Sequence, residues 1–260
     1  MPSQNSDASA ALALAGDVGS YFETLPWRPQ AGWRPLSELT EPIGAMADRV
    51  AEASATLARI SGVDFGELEV RVVASTISLG LFARLVAPPL AATVLAGVVP
   101  RWSIESLWWH PVAGGPLPLA VDDTRGTAAG DVEAEDGAEE VVALLGSSVI
   151  AGPVTAVVRR VHAEFSVSEQ VLWGNVASAL TGAMTMLIQA RPDRADATSG
   201  LVEGLLAQGP LIGTGVVSRP DPSHPRRSFL RRSCCLFYRV PGGGYCGDCV
   251  LTPPAVPLEH

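Results

Sequence analysis

The chain has 260 residues, of which 47% are apolar and only 17% charged; this excludes a mostly disordered chain and leaves room for a sizeable core in one or two domains. The net charge is −9 and all 18 basic residues are arginine. Neutralising phosphates needs a basic face, so nucleic acid is not an expected partner of the whole molecule.

Residues 1–35 are polar with interspersed Pro and Trp and read as a loosely ordered lead-in. No positive charge precedes their one apolar stretch, ALALAG, which is too short for a secretory core, so no export is expected. A helix is predicted from Ser37 to Ile60, with Ile43, Ala47, Val50, Ala51 and Leu57 at helical spacing and Gly62 as a stop. A second helix is predicted from Glu69 to Ala87, ended by Pro88-Pro89 because proline disfavours helical geometry in the residue before it. Leu90 to Val98 then restarts. The whole stretch from Val72 to Val99 is strongly apolar, but Arg84 and the two prolines interrupt it. Two buried helices meeting at a bend are expected, with no transmembrane segment.

Short apolar runs at Ser103–Trp109 and Leu117–Val121, parted by Gly114-Gly115-Pro116, predict an antiparallel hairpin. From Asp122 to Glu140 eight acidic side chains face Arg125 alone, which reads as a solvated loop leading into a helix N-terminus. Helices are then predicted at 138–147, 153–164, 168–190 and 196–207, the third starting at Ser168. No repeat of fixed period is present. The expected fold class is mainly α (α+β). A helical domain over residues 36–208 carries a small antiparallel β-sheet, and a loop-rich C-terminal segment follows over 209–257. Leu258-Glu259-His260 reads as the start of a purification tag and is set apart.

All four cysteines fall in that last segment, within RRSCCLFYRVPGGGYCGDCVL, as Cys234, Cys235, Cys246 and Cys249. Four thiols match the ligand count of a zinc ion or an iron-sulfur cluster. If Leu236–Val240 extends and Pro241–Gly244 turns, Tyr245–Cys249 brings the second pair back beside the first. Adjacent cysteines in an extended chain point to opposite faces and converge poorly on one small tetrahedral ion. A two-iron body is wider, so the spacing favours [2Fe-2S] over zinc. A strained vicinal disulfide or four free thiols are the remaining readings.

The pattern C-C-x10-C-x2-C, flanked as RRSCCLFYR and YCGDC, resembles the signature of FhuF-type ferric-siderophore reductases. Two upstream segments are similar to that family as well: LFARLVAPPLAATVLAG from Leu81 to Gly97 and VLWGNVASAL from Val171 to Leu180. The resemblance spans about residues 70–252. It implies a cytoplasmic enzyme whose four cysteines hold a [2Fe-2S] cluster and which reduces a ferric siderophore by one electron. A related helical domain occurs in siderophore synthetases, whose nucleotide-binding portion has no counterpart here.

Six arginines between Arg219 and Arg239 (219, 226, 227, 231, 232, 239) stand against Asp221. Near an anionic cluster they would favour reduction, and they equally suit an acidic electron donor or an anionic chelate. Arg231, Arg232 and Arg239 are the candidates for tuning the cluster or binding a partner, with solvated or packing roles as the plain alternative. In extended geometry Arg232 shares a face with Cys234, while Cys235, Phe237 and Arg239 share the other. Trp108 and Trp109 could line a chelate pocket, although ordinary packing explains them too. Trp173 and Asn175 are further candidates for that pocket, with Trp173 as core and a buried Asn175 that must bond something near it as the plain readings. No glycine-rich phosphate loop follows a strand, so a separate donor of the ferredoxin or flavin-reductase type is expected. The alternative function is a non-redox module that binds a siderophore or a protein and holds structural zinc on its four cysteines.

Overall fold

The computed structural model describes residues 5–42, 44–113, 115–129, 135–219 and 228–251. Its centre is α3 (Val70–Ala96), which packs along α6 (Glu169–Ala190) and carries α1 (Ser9–Gly16) on another flank. Around this core lie α2 (Ala45–Ser61), α4 (Glu135–Leu145), α5 (Thr155–Phe165) and α7 (Ala195–Leu206). The mainly helical class with small sheets is as expected.

The largest correction concerns Pro88-Pro89. They do not end a helix: α3 runs through both and stops only at Gly97, whose left-handed φ of 64° caps it before strand Val98–Pro100. A proline inside a helix costs about 3 kcal/mol or more. Each fully buried Leu or Val returns roughly 1.5–3 kcal/mol. Leu85, Val86, Leu90 and Ala91, on both sides of the step, are at most 1% exposed, so packing decides in favour of one continuous helix.

Arg84 is buried within α3. Its guanidinium donates to the carbonyls of Leu117, Ser20, Tyr21 and Glu23, and so ties the turn after α1 to the central helix. Burial lowers its pKa to about 10, which leaves it charged at neutral pH. Arg84→Met is expected to strand these acceptors and cost about 3 kcal/mol, read as a lower midpoint in denaturant. Arg84→Lys should recover only part, because one ammonium cannot span four carbonyls. An unchanged midpoint in Arg84→Met would remove this role.

Residues 5–35 are not a loose lead-in. Helix α1 buries Ala11, Leu12 and Ala15. Strand β1 (Asn5–Asp7) joins β4 (Val98–Pro100) and β7 (Arg125–Ala128), in the order β1-β7-β4. Strands β2 (Leu25–Pro26) and β3 (Arg34–Pro35) flank β6 (Leu119–Val121) and β5 (Leu107–Trp109), β2 running parallel to β6. The expected hairpin is the antiparallel β5–β6 pair, in the register Leu107↔Val121; Gly114 lies outside the described residues. In the acidic stretch β7 forms a strand where a loop was expected, α4 begins at Glu135, and 130–134 are outside the described residues.

Helix α2 starts eight residues later than predicted, after a single turn at Leu36–Leu39. Pro42 disfavours helix at Glu41, and Gly44 is extended where a Cβ would stand 2.8 Å from the Glu38 carbonyl oxygen. Its buried face is Met46, Val50, Ser54 and Ala58, while Ala51 is exposed and Ile43 lies outside the described residues. The four later helices fall within three residues of their predicted bounds, and Ser168 caps α6 by accepting from the Val171 N–H. Between α4 and α5 the segment Gly146–Val154 winds more widely and breaks at Gly152-Pro153.

By length and composition alone, Val70–Ala96, Gly137–Phe165 and Glu169–Ala190 are each apolar enough to cross a membrane; the first and third bury 72% of that apolar window inside the fold. Last in the chain, β8 (Gly215–Ser218) and β9 (Ser228–Arg231) form a two-stranded ribbon, with β9 against α6.

Candidate metal centre

Strand β9 delivers Arg231 and then the chain bends. The predicted extension of Leu236–Val240 is not found: Leu236 is left-handed at φ 71° and Phe237–Arg239 form a single tight turn. A second turn follows, closed by the Gly243 N–H on the Val240 carbonyl at 2.7 Å, with Gly242 at φ 76°. The two cysteine arms therefore meet by a more compact route than a hairpin. Stacked Tyr238 and Tyr245 rings, 6.2 Å apart, join the arms on the outside.

Cys235 Sγ lies 3.1 Å from Cys246 Sγ, and Cys249 is near enough to Cys234 to help raise its pKa. Each contact pairs one residue of the adjacent couple with one of the CGDC loop. Cys235 and Cys249 are buried, whereas Cys234 and Cys246 keep partial exposure. Burial, followed by the Cys235 thiol, pushes Cys246 up to about 12, and burial likewise raises Cys234. The backbone N–H groups of Leu236 and Leu251 donate to Cys234 Sγ and Cys249 Sγ at 3.3 and 3.4 Å. Among the described residues no group of three or more His, Cys, Asp or Glu side chains is arranged around a single ion. Two sulfur pairs rather than one four-cornered cage suit a body of two metal atoms.

A buried polar network fixes these arms to the helical core. Arg231, with a side chain 0% exposed, has its Nε 3.2 Å from Asp248 Oδ2 and donates from Nη1 to Asn175 Oδ1 at 2.8 Å. Asn175, on α6, donates to the Ser75 carbonyl and hydroxyl at 3.0 and 3.1 Å, and the Ser75 hydroxyl donates to the Cys235 carbonyl at 2.8 Å. Ser178 donates to Asp248. Burial opposes the charge on Arg231, yet Asp248, Cys235 and Cys246 outweigh it and raise its pKa. Among the described residues Arg231 Nη2 and Ser233 Oγ are buried with no hydrogen-bond partner, the first in a side chain that feels the Cys235 and Cys246 thiols. A Cβ on Gly174 would stand 2.1 Å from Ser233 Oγ, so α6 admits the cysteine arm only at a glycine. The donor set, its pairing and the spare donors fit a [2Fe-2S] cluster.

Of the other residues singled out, Arg232 is exposed and Arg239 pairs with Glu69 ahead of α3. The chain leaves extended geometry at Arg231, so the predicted face shared by Cys235, Phe237 and Arg239 does not form. Arg226, Arg227 and Asp221 lie outside the described residues. Trp108 stacks on Trp27 at 3.9 Å and donates to Asp122, and buried Trp109 lies under Arg34 and Arg49. These contacts belong to the sheet rather than to the cysteine arms. Trp173 is in the core of α6. Ser75, Ser178 and Asp248 were not singled out. Asp248 stood in view between two cysteines, whereas the serines, 160 and 70 residues from their partners, carry no local signal.

Comparison with known proteins agrees with this geometry. Residues 231–251 match the family model of the FhuF 2Fe-2S C-terminal domain, whose cofactor is a [2Fe-2S] cluster. The Leu81–Gly97 and Val171–Leu180 segments lie outside the matched residues. Among solved structures the chain is similar to the aerobactin synthetase IucC from a hypervirulent pathotype of Klebsiella pneumoniae, with 15% identity, a TM-score of 0.43, and 67% of this chain and 32% of that one covered. The chain thus spans about a third of the synthetase's length. No curated protein matches it in sequence.

Proposed function

We propose that the chain is a cytoplasmic ferric-siderophore reductase, which releases iron by one-electron reduction and draws its electrons from a separate ferredoxin or flavin-reductase-type donor. The observation that carries this reading is the approach of Cys235 Sγ to Cys246 Sγ at 3.1 Å, with Cys234 and Cys249 brought into the same neighbourhood, in a segment that matches a [2Fe-2S] domain. Cys234, Cys235, Cys246 and Cys249 would hold the cluster, which when bound supplies a one-electron carrier near the surface.

The chain's own residues prepare the site for added negative charge. Arg231 stays cationic in a buried position, and the N–H groups of Leu236 and Leu251 are aimed at two of the sulfurs. Both features favour the reduced state. Siderophores grip Fe(III) through hard oxygen donors that hold Fe(II) far more weakly. One electron passed to the ferric ion leaves Fe(II), and the chelate opens. Exposed Arg232 is then a contact for an acidic donor.

Anaerobic protein reduced with dithionite and freed of excess reductant is expected to reoxidise on mixing with a ferric siderophore. Each electron lost should appear as an Fe(II) ion trapped by ferrozine. Protein that stays reduced, with no Fe(II) formed from hydroxamate or catecholate complexes, would reject the function.

A further inference from the structure

A cleft of about 340 Å³ opens between α6, β9 and the CGDC loop, within the range of small-molecule sites. Its walls include Ser178, Thr181, Thr185, Phe229 and Asp248, with Gly182 exposed on α6. Gly247 and Asp248 lie between Cys246 and Cys249, so anything resting on that loop is one residue from a cysteine in either direction. Three other clefts, beside Arg49 and Glu52, beside Arg101 and Ser148, and beside Pro192 and Asp196, take no wall from the cysteine segment.

We infer that this cleft is the seat of the ferric chelate during electron transfer, an assignment that rests on the reductase reading and adds its place and its residues. The lining suits a small chelate better than a protein. Among the described residues hydroxyls, Met184 and one aromatic ring line it, Asp248 is the only ionisable group, and that carboxylate is already held by Arg231 and Ser178. A protein donor would need a surface of about 1,000 Å² or more, which a cleft of this size does not offer.

A Cβ at Gly182 would meet nothing within 4 Å, so a leucine can start from that position into the cleft, and it suits a helix better than glycine. Gly182→Leu is expected to keep the visible spectrum and the dithionite-reduced paramagnetic signal of the loaded protein. Its reoxidation by the ferric complexes of desferrioxamine B and enterobactin should slow roughly tenfold or more for whichever complex the wild type reduces, because the side chain occupies the ligand's space. Binding of the corresponding redox-inert gallium(III) complex, followed by calorimetry, should weaken to a similar degree. Ser228→Trp, from the opposite wall, should act in the same way and covers the case in which the leucine disturbs α6. Gly200→Leu on α7, also with open space beside it, should leave both readouts unchanged.

Wild-type rates and gallium binding in both cleft variants would overturn the assignment while leaving the reductase reading intact. Slower reduction by a protein donor, with chelate reactions unaffected, would also overturn it and make the cleft the donor's. A wild type that reduces neither complex would instead reject the function itself.

Discussion

Arg231→Met is expected to lower the thermal midpoint by roughly 5–12 °C and to weaken cluster retention. The side chain is fully buried and bridges two elements: Asp248 of the CGDC loop and Asn175 of α6. Removing one partner of a buried pair costs about 3–5 kcal/mol, and here the lower end applies, since Asp248 is 20% exposed and keeps Ser178. Asn175 is left with an unpaired carbonyl oxygen in a residue that is itself fully buried. Arg231→Lys should recover little, because a point charge on a flexible stem cannot meet Asp248 and Asn175 together. Arg231→Met with Asp248→Asn should be less damaging than the sum of the two single changes, with a coupling of about 1 kcal/mol or more. The surviving cluster should be harder to reduce, for its nearest buried cation is gone. A melt and a midpoint potential equal to the wild type would show that the arginine merely fills space.

How far the sequence alone foretold this arrangement depends on the range of the forces involved. Helices α4 to α7 were legible because local periodicity and the Ser168 cap act within a few residues. Pro88-Pro89 misled because a local steric rule lost to burial by α1 and α6, which no window of sequence displays. The small strands of the first 35 residues were missed for the same reason, since two residues such as Leu25-Pro26 become a strand only through a partner nearly a hundred positions away. At the metal centre the four cysteines announced themselves by clustering, and Asn175 was expected to bond something nearby. What could not be read was the chain of contacts from Ser75 through Asn175 and Arg231 to Asp248, each link joining segments far apart in sequence. Arg231 and Arg232 looked alike on paper, and only the bend after β9 buries one and exposes the other.

Cys235→Ser is expected to reduce bound iron to background and to bleach the protein while the far-ultraviolet helical signal stays at the wild-type level. The oxygen is smaller and a much poorer partner for iron than a thiolate, but the buried position tolerates a near-isosteric change and the helices do not depend on it. Cys246→Ser should behave identically, because its thiol faces that of Cys235 at 3.1 Å. Metal removal by a chelator should reproduce both variants: colour lost, helices kept. Retained colour in either single variant would mean that the cluster does not use this pair.

Metal and sulfide analysis of anaerobically reconstituted protein, together with electron paramagnetic resonance after dithionite, tests most directly whether the four cysteines hold two irons. About two iron and two sulfide per chain are expected, with a spin-one-half signal on reduction. About one zinc per chain, no iron and no signal would contradict it.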